Sequence, residues 1–163
     1  MTMSDRICLM NAGRIEQLGT PADLYFRPRT VFVADFLGES NLLQGTVERS
    51  DGGEVEVRLA QEGVRHRATA HAPLAAGAKV RVMVRPQNIG VGGRPEANAV
   101  QGRVLDSMIT GSLTKLYVQS AVMGDEPLVL CYPTSSRDAP HAIGEAVTLH
   151  WSRSDAVAVP DAA

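Results

Sequence analysis

After Gly38, apolar and polar positions alternate with a period of two. Val55, Val57 and Leu59 interleave with Glu54, Glu56 and Arg58, and Val80, Val82 and Val84 with Arg81, Met83 and Arg85; near the carboxyl end Val147, Leu149 and Trp151 interleave with Thr148 and His150. That period turns one side of each segment to a core and the other to water, and the Gly, Pro, Asp and Asn breaks between segments mark turns. Ahead of Gly38 the pattern differs. Ile7, Cys8, Leu9 and Met10 are apolar in succession and are followed by Asn11-Ala12-Gly13 and a second short run, Arg14 to Leu18. This predicts a hairpin whose first strand expects cover on both faces. Thr20-Pro21-Ala22-Asp23 then predicts a helix start, with Thr20 as cap, Pro21 in the first turn and Asp23 at the positive end of the dipole; the helix stops before Pro28. A second helix, capped by Thr30, sets Phe32 four residues from Phe36 and Val33 four from Leu37, and ends at Gly38.

The alternating region repeats itself. Gln44-Gly45-Thr46-Val47 returns as Gln101-Gly102-Arg103-Val104, 57 residues on, and Gly77, Val80, Val82 and Val84 return as Gly144, Val147, Leu149 and Trp151, 67 residues on. The second copy is about ten residues longer, and the extra length is expected between Ser120 and His141, where Gly124, Pro127, Pro133 and Pro140 mark loops. Each copy has room for four or five strands, enough for an oligonucleotide/oligosaccharide-binding (OB) type barrel. The fold class expected is therefore mainly β, two tandem OB-like barrel halves preceded by a hairpin and two short helices. Only 4% of residues are aromatic, so the core is built from aliphatic and β-branched side chains, as small barrels allow.

A chain of 163 residues can bury roughly 70% of its extended surface, which suits one or two domains. The formal net charge of -2 supplies no field that favours nucleic acid or an anionic membrane. Cys8 and Cys131 make neither a disulfide framework nor a metal pattern and are expected as reduced core residues. No apolar run approaches the ~18 residues of a membrane helix. The reading is a cytosolic protein that reaches a membrane only through a partner.

Candidate chemistry narrows the picture further. A phosphate loop needs a Gly-rich turn ending in Gly-Lys-Ser or Gly-Lys-Thr. The chain has two lysines, Lys79 between Ala78 and Val80 and Lys115 between Thr114 and Leu116, and neither fits. Asp125-Glu126 between Gly124 and Pro127 reads as a turn, as do Gly52-Gly53 and Gly92-Gly93. His66, His71, His141 and His150 lack ligand spacing with Cys or carboxylates and are expected at the surface or rim. Arg65 and Arg67 make a small basic patch without the aromatic residues that stack on bases. No Gly-x-Ser-x-Gly elbow marks a hydrolase. No catalytic, cofactor-binding or metal-ligating residue is assigned.

Residues 4 to 38, from Ser4-Asp5-Arg6-Ile7 through Thr20-Pro21-Ala22-Asp23-Leu24-Tyr25-Phe26-Arg27-Pro28 to Phe32-Val33-Ala34-Asp35-Phe36-Leu37-Gly38, resemble the end of an ABC-importer ATPase domain of the polyamine, iron, sulfate or maltose type. Val82-Met83-Val84-Arg85-Pro86-Gln87-Asn88-Ile89 is similar to the Arg-Pro-Glu segment in that family's transport-associated OB (TOBE) region, with Gln87 in place of the glutamate. The resemblance implies residues 1–38 as the remnant of an ATPase domain and 39–160 as a TOBE region, with halves at about 39–93 and 96–160. It further implies a regulatory and dimerisation module of the ATP-binding subunit, a homodimer that works with membrane-spanning permease subunits on the inner face of a bacterial plasma membrane. ATP and magnesium belong to the full-length subunit and no cofactor to this chain, which alone is not expected to be an enzyme or to bind nucleic acid. Gly38-Glu39-Ser40-Asn41-Leu42-Leu43-Gln44-Gly45 most resembles the polyamine branch; the alternative is a barrel that senses an oxyanion or substrate in a sulfate, iron or molybdate importer. Arg85 and Gln87 are the candidate regulatory residues, Arg85 being expected as a surface arginine at a strand end. Ile7, Leu9, Phe32 and Phe36 form the candidate association surface, left bare where an ATPase core would cover it.

Overall fold

The computed structural model describes residues 5–94, 97–135 and 141–161. Strands β1 (Ile7–Asn11) and β2 (Arg14–Gly19) pair as the expected hairpin. Its turn takes Ala12 and Gly13 to φ of 50° and 78°, a region that glycine enters without penalty. Thr20 caps α1 (Pro21–Phe26), its hydroxyl accepting from the Asp23 amide at 3.1 Å while the Asp23 carboxylate accepts from the Thr20 amide at 3.2 Å. This reciprocal box satisfies two amides the first helical turn leaves open, and the Thr20 hydroxyl and amide hold the Asp23 carboxyl below the usual range. Thr30 caps α2 (Val31–Phe36) through the Val33 amide at 3.2 Å.

The hairpin and helices share a small core of Leu9, Leu24 and Val33. Cover on β1 is one-sided, because alternation turns Leu9 inward and leaves Cys8 and Met10 exposed. Cys8 is accordingly not a core residue, and Cys131 is half-buried. The far side of α2 packs through Ala34 onto Met83, Val157 and Val159 of the barrel, so this helix finds a partner within the chain.

Strands β3 (Asn41–Asp51), β4 (Glu54–Leu59), β5 (Arg65–Thr69) and β6 (Lys79–Val84) form a barrel that is closed by β12 (Ala156–Pro160). All neighbours run antiparallel except β12 and β5, which are parallel. This is the strand order of an OB barrel, with its fifth strand delivered from the end of the chain. The second sheet runs β10 (Leu128–Pro133), β9 (Leu113–Gln119), β8 (Asn98–Thr110), β11 (Ala146–Trp151), β7 (Gly90–Val91) and is open between its outer strands.

The two halves exchange strands. After β6 a 3-10 turn at Pro86–Asn88 sends the chain out of the first barrel, and β7 pairs with β11 of the second sheet. After β11 a matching turn at Arg153–Asp155 sends β12 back to β5 and β6. Residues 90–91 and 156–160 thus each serve the sheet of the other half, across the division expected from sequence. Periodicity could not reveal this, because a strand alternates in the same way whichever sheet it joins.

The repeat is visible in individual hydrogen bonds. The Gly77 amide donates to Val47 O and the Gly144 amide to Val104 O, both at 2.8 Å, while the Val47 and Val104 amides donate to Ala78 O and Glu145 O at 2.9 and 3.0 Å. Bulges fall at matching places, between Val47 and Arg49 and between Val104 and Asp106. A single apolar cluster joins the sheets, with Leu43, Val57 and Val82 continuous with Leu116, Leu149 and Trp151. Part of the second copy's extra length is the loop around a 3-10 turn at Ala121–Met123, and Asp125-Glu126 follows it as a turn; residues 136–140, with Pro140, lie outside the described residues.

Candidate interaction site at the junction of the helix pair and the barrels

Arg85 lies at the point where the chain leaves the first barrel for the second. It is 2% exposed, not the surface arginine expected, because α1 and α2 fold over the end of β6. Its Nη2 donates to Tyr25 O at 2.9 Å, and its Nη1 to Ala34 O and Gly38 O, each at 3.4 Å. The Tyr25 ring covers the guanidinium, with Cζ 4.1 Å from the ring centre. One side chain therefore ties the end of α1, the body of α2 and the following link to the barrel. Gln87 adds a bond from Nε2 to the Tyr25 hydroxyl at 2.8 Å. The two candidate regulatory residues thus meet on a single tyrosine that sequence reading did not single out.

Electrostatically the joint is unbalanced. Burial pulls the Arg85 pKa down from its ordinary value, and Tyr25 offsets part of the effect. Arg85 makes no ion pair among the described residues, and Nε has no hydrogen-bond partner. An arginine stays charged even so, and its partners are neutral carbonyls and an aromatic face.

A second device links the halves. Asn41, 1% exposed, bonds both backbone groups of Val129 on the outer strand β10: Nδ2 donates to Val129 O and Oδ1 accepts from the Val129 amide, each at 2.8 Å. Asn98, 57 residues on, does the same to Arg67 of β5, at 2.8 and 2.9 Å. Each amide imitates a neighbouring strand, so each half braces the third strand of the other. Extending the Gln-Gly repeat three residues backwards would have found this pair. Beside the seam, His66 is 2% exposed rather than a rim residue and packs edge-on against Trp151, ring centres 5.4 Å apart. Burial lowers its pKa to about 4, with a backbone contact from Ala99 opposing the shift. Arg65 pairs with Glu48 at 2.8 Å, which leaves little of the basic patch. The other histidines are dispersed, His141 on Glu145 and His150 on Gly92 O, and no group of three metal-ligating side chains occurs among the described residues.

The candidate association surface divides. Leu9 is core, and Ile7 and Phe32 are partly buried against it. Phe36, stacked on Phe32 at 5.8 Å, is 62% exposed. Exposed apolar area continues on the outer face of the hairpin through Met10, Ile15 and Leu18, because an apolar residue on the inward face at Leu9 leaves its sequence neighbours facing out. A separate exposed row, Leu105, Met108, Ile109 and Leu113, lies on the projecting β8–β9 hairpin.

Comparison with known proteins agrees with this architecture. Residues 82–159 match the model of the TOBE domain. Spermidine/putrescine import ATP-binding protein PotA of Frankia alni is 37% identical over 99% of this chain and 37% of its own length; its counterpart in Rubrobacter xylanophilus is 39% identical over 93% of this chain and 40% of its own. The chain spans about two fifths of the length of the curated relatives it matches. Among solved structures, the cytoplasmic molybdate-binding protein ModG superposes with a TM-score of 0.62 at 20% identity, over 74% of this chain and 96% of that one, a likeness of fold. Over nearly its whole length the chain is similar to the PotA kind of ATP-binding subunit, and over residues 82–159 to the TOBE domain, which is consistent with the carboxyl-terminal part of an ABC-importer ATPase.

Proposed function

We propose that this chain is the regulatory and dimerisation segment of the ATP-binding subunit of a spermidine/putrescine-type ABC importer, and that it couples ATP hydrolysis elsewhere in that subunit to transport. The observation that carries this reading is relatedness to PotA proteins along both the helix pair and the barrels. In this reading the segment performs no chemistry and holds no cofactor; ATP and magnesium bind the remainder of the subunit. It works at the cytoplasmic face of the membrane, against permease subunits and a second copy of itself. No helix among the described residues is long and apolar enough to cross a membrane.

The mechanism follows from the joint. Displacement of α1 or α2 pulls on Arg85, which is hydrogen-bonded to both and sits where the chain passes from one sheet to the other. Strand exchange and the two asparagine braces oblige the halves to move together. The pair of barrels acts as one body, and in a dimer it keeps two ATPase domains at high effective concentration while they open and close.

Replacing the matching segment of the Rubrobacter xylanophilus relative by this chain tests the reading in a strain that lacks its own polyamine importer. Spermidine uptake is expected to survive the exchange. A chimera that folds and hydrolyses ATP but is inert to polyamine, while supporting uptake of another solute, refutes it.

A further inference from the structure

The two halves differ at one matched place, the hairpin that each long strand makes with its successor. Val57 faces Val47 from ten residues on across the β3–β4 hairpin, and Val118 faces Val104 from fourteen on across β8–β9, so the second hairpin is the longer. In both, the outer edge of the long strand outruns its second neighbour: β3 pairs with β6 at Asn41–Thr46 and β8 with β11 at Asn98–Arg103. A free edge invites another strand, and charged side chains ordinarily guard it. The first hairpin is guarded. Glu48 pairs with Arg58 and Arg65, Arg49 with Glu56, and Asp51 follows in sequence. The matching positions of the second hairpin read Leu105, Asp106, Ser107 and Met108, and its extension adds Ile109. Leu105, Met108, Ile109 and Leu113 are all exposed, Ile109 to 69%. Beyond Gly144 and Glu145, which bond both backbone groups of Val104, no strand lies against this edge among the described residues. The Ser107 amide is met instead by the carboxylate of its own neighbour, Asp106, at 2.8 Å.

We propose that the outer edge of β8, residues 105–110, pairs antiparallel with the same edge of a second copy of this chain, about a two-fold axis at Ser107. This rests on the reading of the segment as a dimerisation module and gives that module its surface. A two-fold contact needs a self-complementary patch. With Ser107 facing its counterpart, Leu105 of each copy lies opposite Ile109 of the other, and Asp106 lies opposite Met108. An axis at Asp106 would set two carboxylates face to face, which is destabilising. An axis at Met108 would set Leu105 against Gly111 and Ile109 against Ser107, and both apolar contacts would be lost. At Ser107 the amide exchanges its neighbouring carboxylate for a carbonyl across the axis. The contact closes on itself, so it makes a dimer and not a fibre. Residues 105–113 fall short of the roughly 20–30 residues a side of a stable interface, so the pair is weak for this chain alone and is strengthened where a further contact tethers the copies. The surface lies on the second sheet, apart from Ile7, Phe32 and Phe36.

Sedimentation equilibrium of the chain from about 10 μM to about 1 mM is expected to show reversible exchange between monomer and dimer. Ile109→Lys, at an exposed position and checked for native circular dichroism, should weaken association about tenfold or more by placing charge on the edge. Leu105→Glu combined with Ile109→Lys should restore it, because the two positions face each other only across the axis. Ile15→Lys, on the exposed outer face of the β1–β2 hairpin, should change nothing. A chain that is monomeric throughout overturns the proposal together with the dimerisation reading. A dimer that survives Ile109→Lys, or that Ile15→Lys abolishes, overturns this surface and leaves dimerisation standing. Loss in Ile109→Lys without rescue by the paired substitution overturns the register. Spermidine uptake by the chimera bears on the transport reading and is independent of all three.

Discussion

Replacing Asn41 with alanine breaks three hydrogen bonds at once: those from Nδ2 to Val84 O and Val129 O and that from the Val129 amide to Oδ1, at 3.1, 2.8 and 2.8 Å. The site is 1% exposed, so water does not replace what is lost, and the amide and carbonyl of Val129 are left unsatisfied on a strand with no other neighbour on that side. At about 1–3 kcal/mol for each orphaned buried group, the expected cost is about 2–5 kcal/mol. The repeat provides an internal control. Asn98→Ala removes the same pair of bonds from Arg67, but at a half-exposed position where water can take over, so about 0.5–1.5 kcal/mol is expected. Urea unfolding of the two variants, with slopes compared to confirm a common transition, gives the difference. Equal losses, or a greater loss for Asn98→Ala, would refute the claim that burial makes the Asn41 brace the stronger one.

The paired glycines and the seam histidine supply two further expectations. A Cβ at Gly45 would press on Val57 and come within 2.9 Å of Arg58 O, and one at Gly102 would press on Val118 and come within 2.8 Å of Gln119 O; Gly45→Ala and Gly102→Ala should each cost about 1–3 kcal/mol through overpacking, measured by thermal unfolding, and a neutral substitution at either would show that the strands are not so closely apposed. His66 has a folded pKa of about 4 against 6.5 for the free side chain, so its contribution is complete above pH 6.5 and is lost as pH falls through about 4, where both states bind the proton less unequally. The loss is roughly 3 kcal/mol. Urea midpoints of the wild type and His66→Leu between pH 7 and pH 4 should diverge over that window, and parallel curves would contradict the assignment.

Much of the architecture was legible in sequence because it depends on local pattern. The caps at Thr20 and Thr30, the hairpin turn and the alternation of β4, β6 and β11 need only nearest neighbours, and the Gln-Gly repeat announced the doubling. What was not legible depends on distant partners. Strand exchange leaves no mark on period two. The burial of Arg85 follows from helices folding over it from 50 to 60 residues upstream, and that of His66 from Trp151, 85 residues away. The apolar run Ile7 to Met10 does not say which of its faces finds cover, and Leu9 is core because α1 and α2, through Leu24 and Val33, cover one face of β1.

The central claim is that the helix pair and the doubled barrel act as one coupled body in transport, and the ratio of spermidine imported to ATP hydrolysed tests it most directly. That ratio can be measured in vesicles carrying the chimeric importer, with and without Arg85→Met and Gln87→Ala together, after circular dichroism has shown that the variant is folded. The account predicts that hydrolysis persists while import per ATP falls severalfold. An unchanged ratio in the folded variant would contradict it.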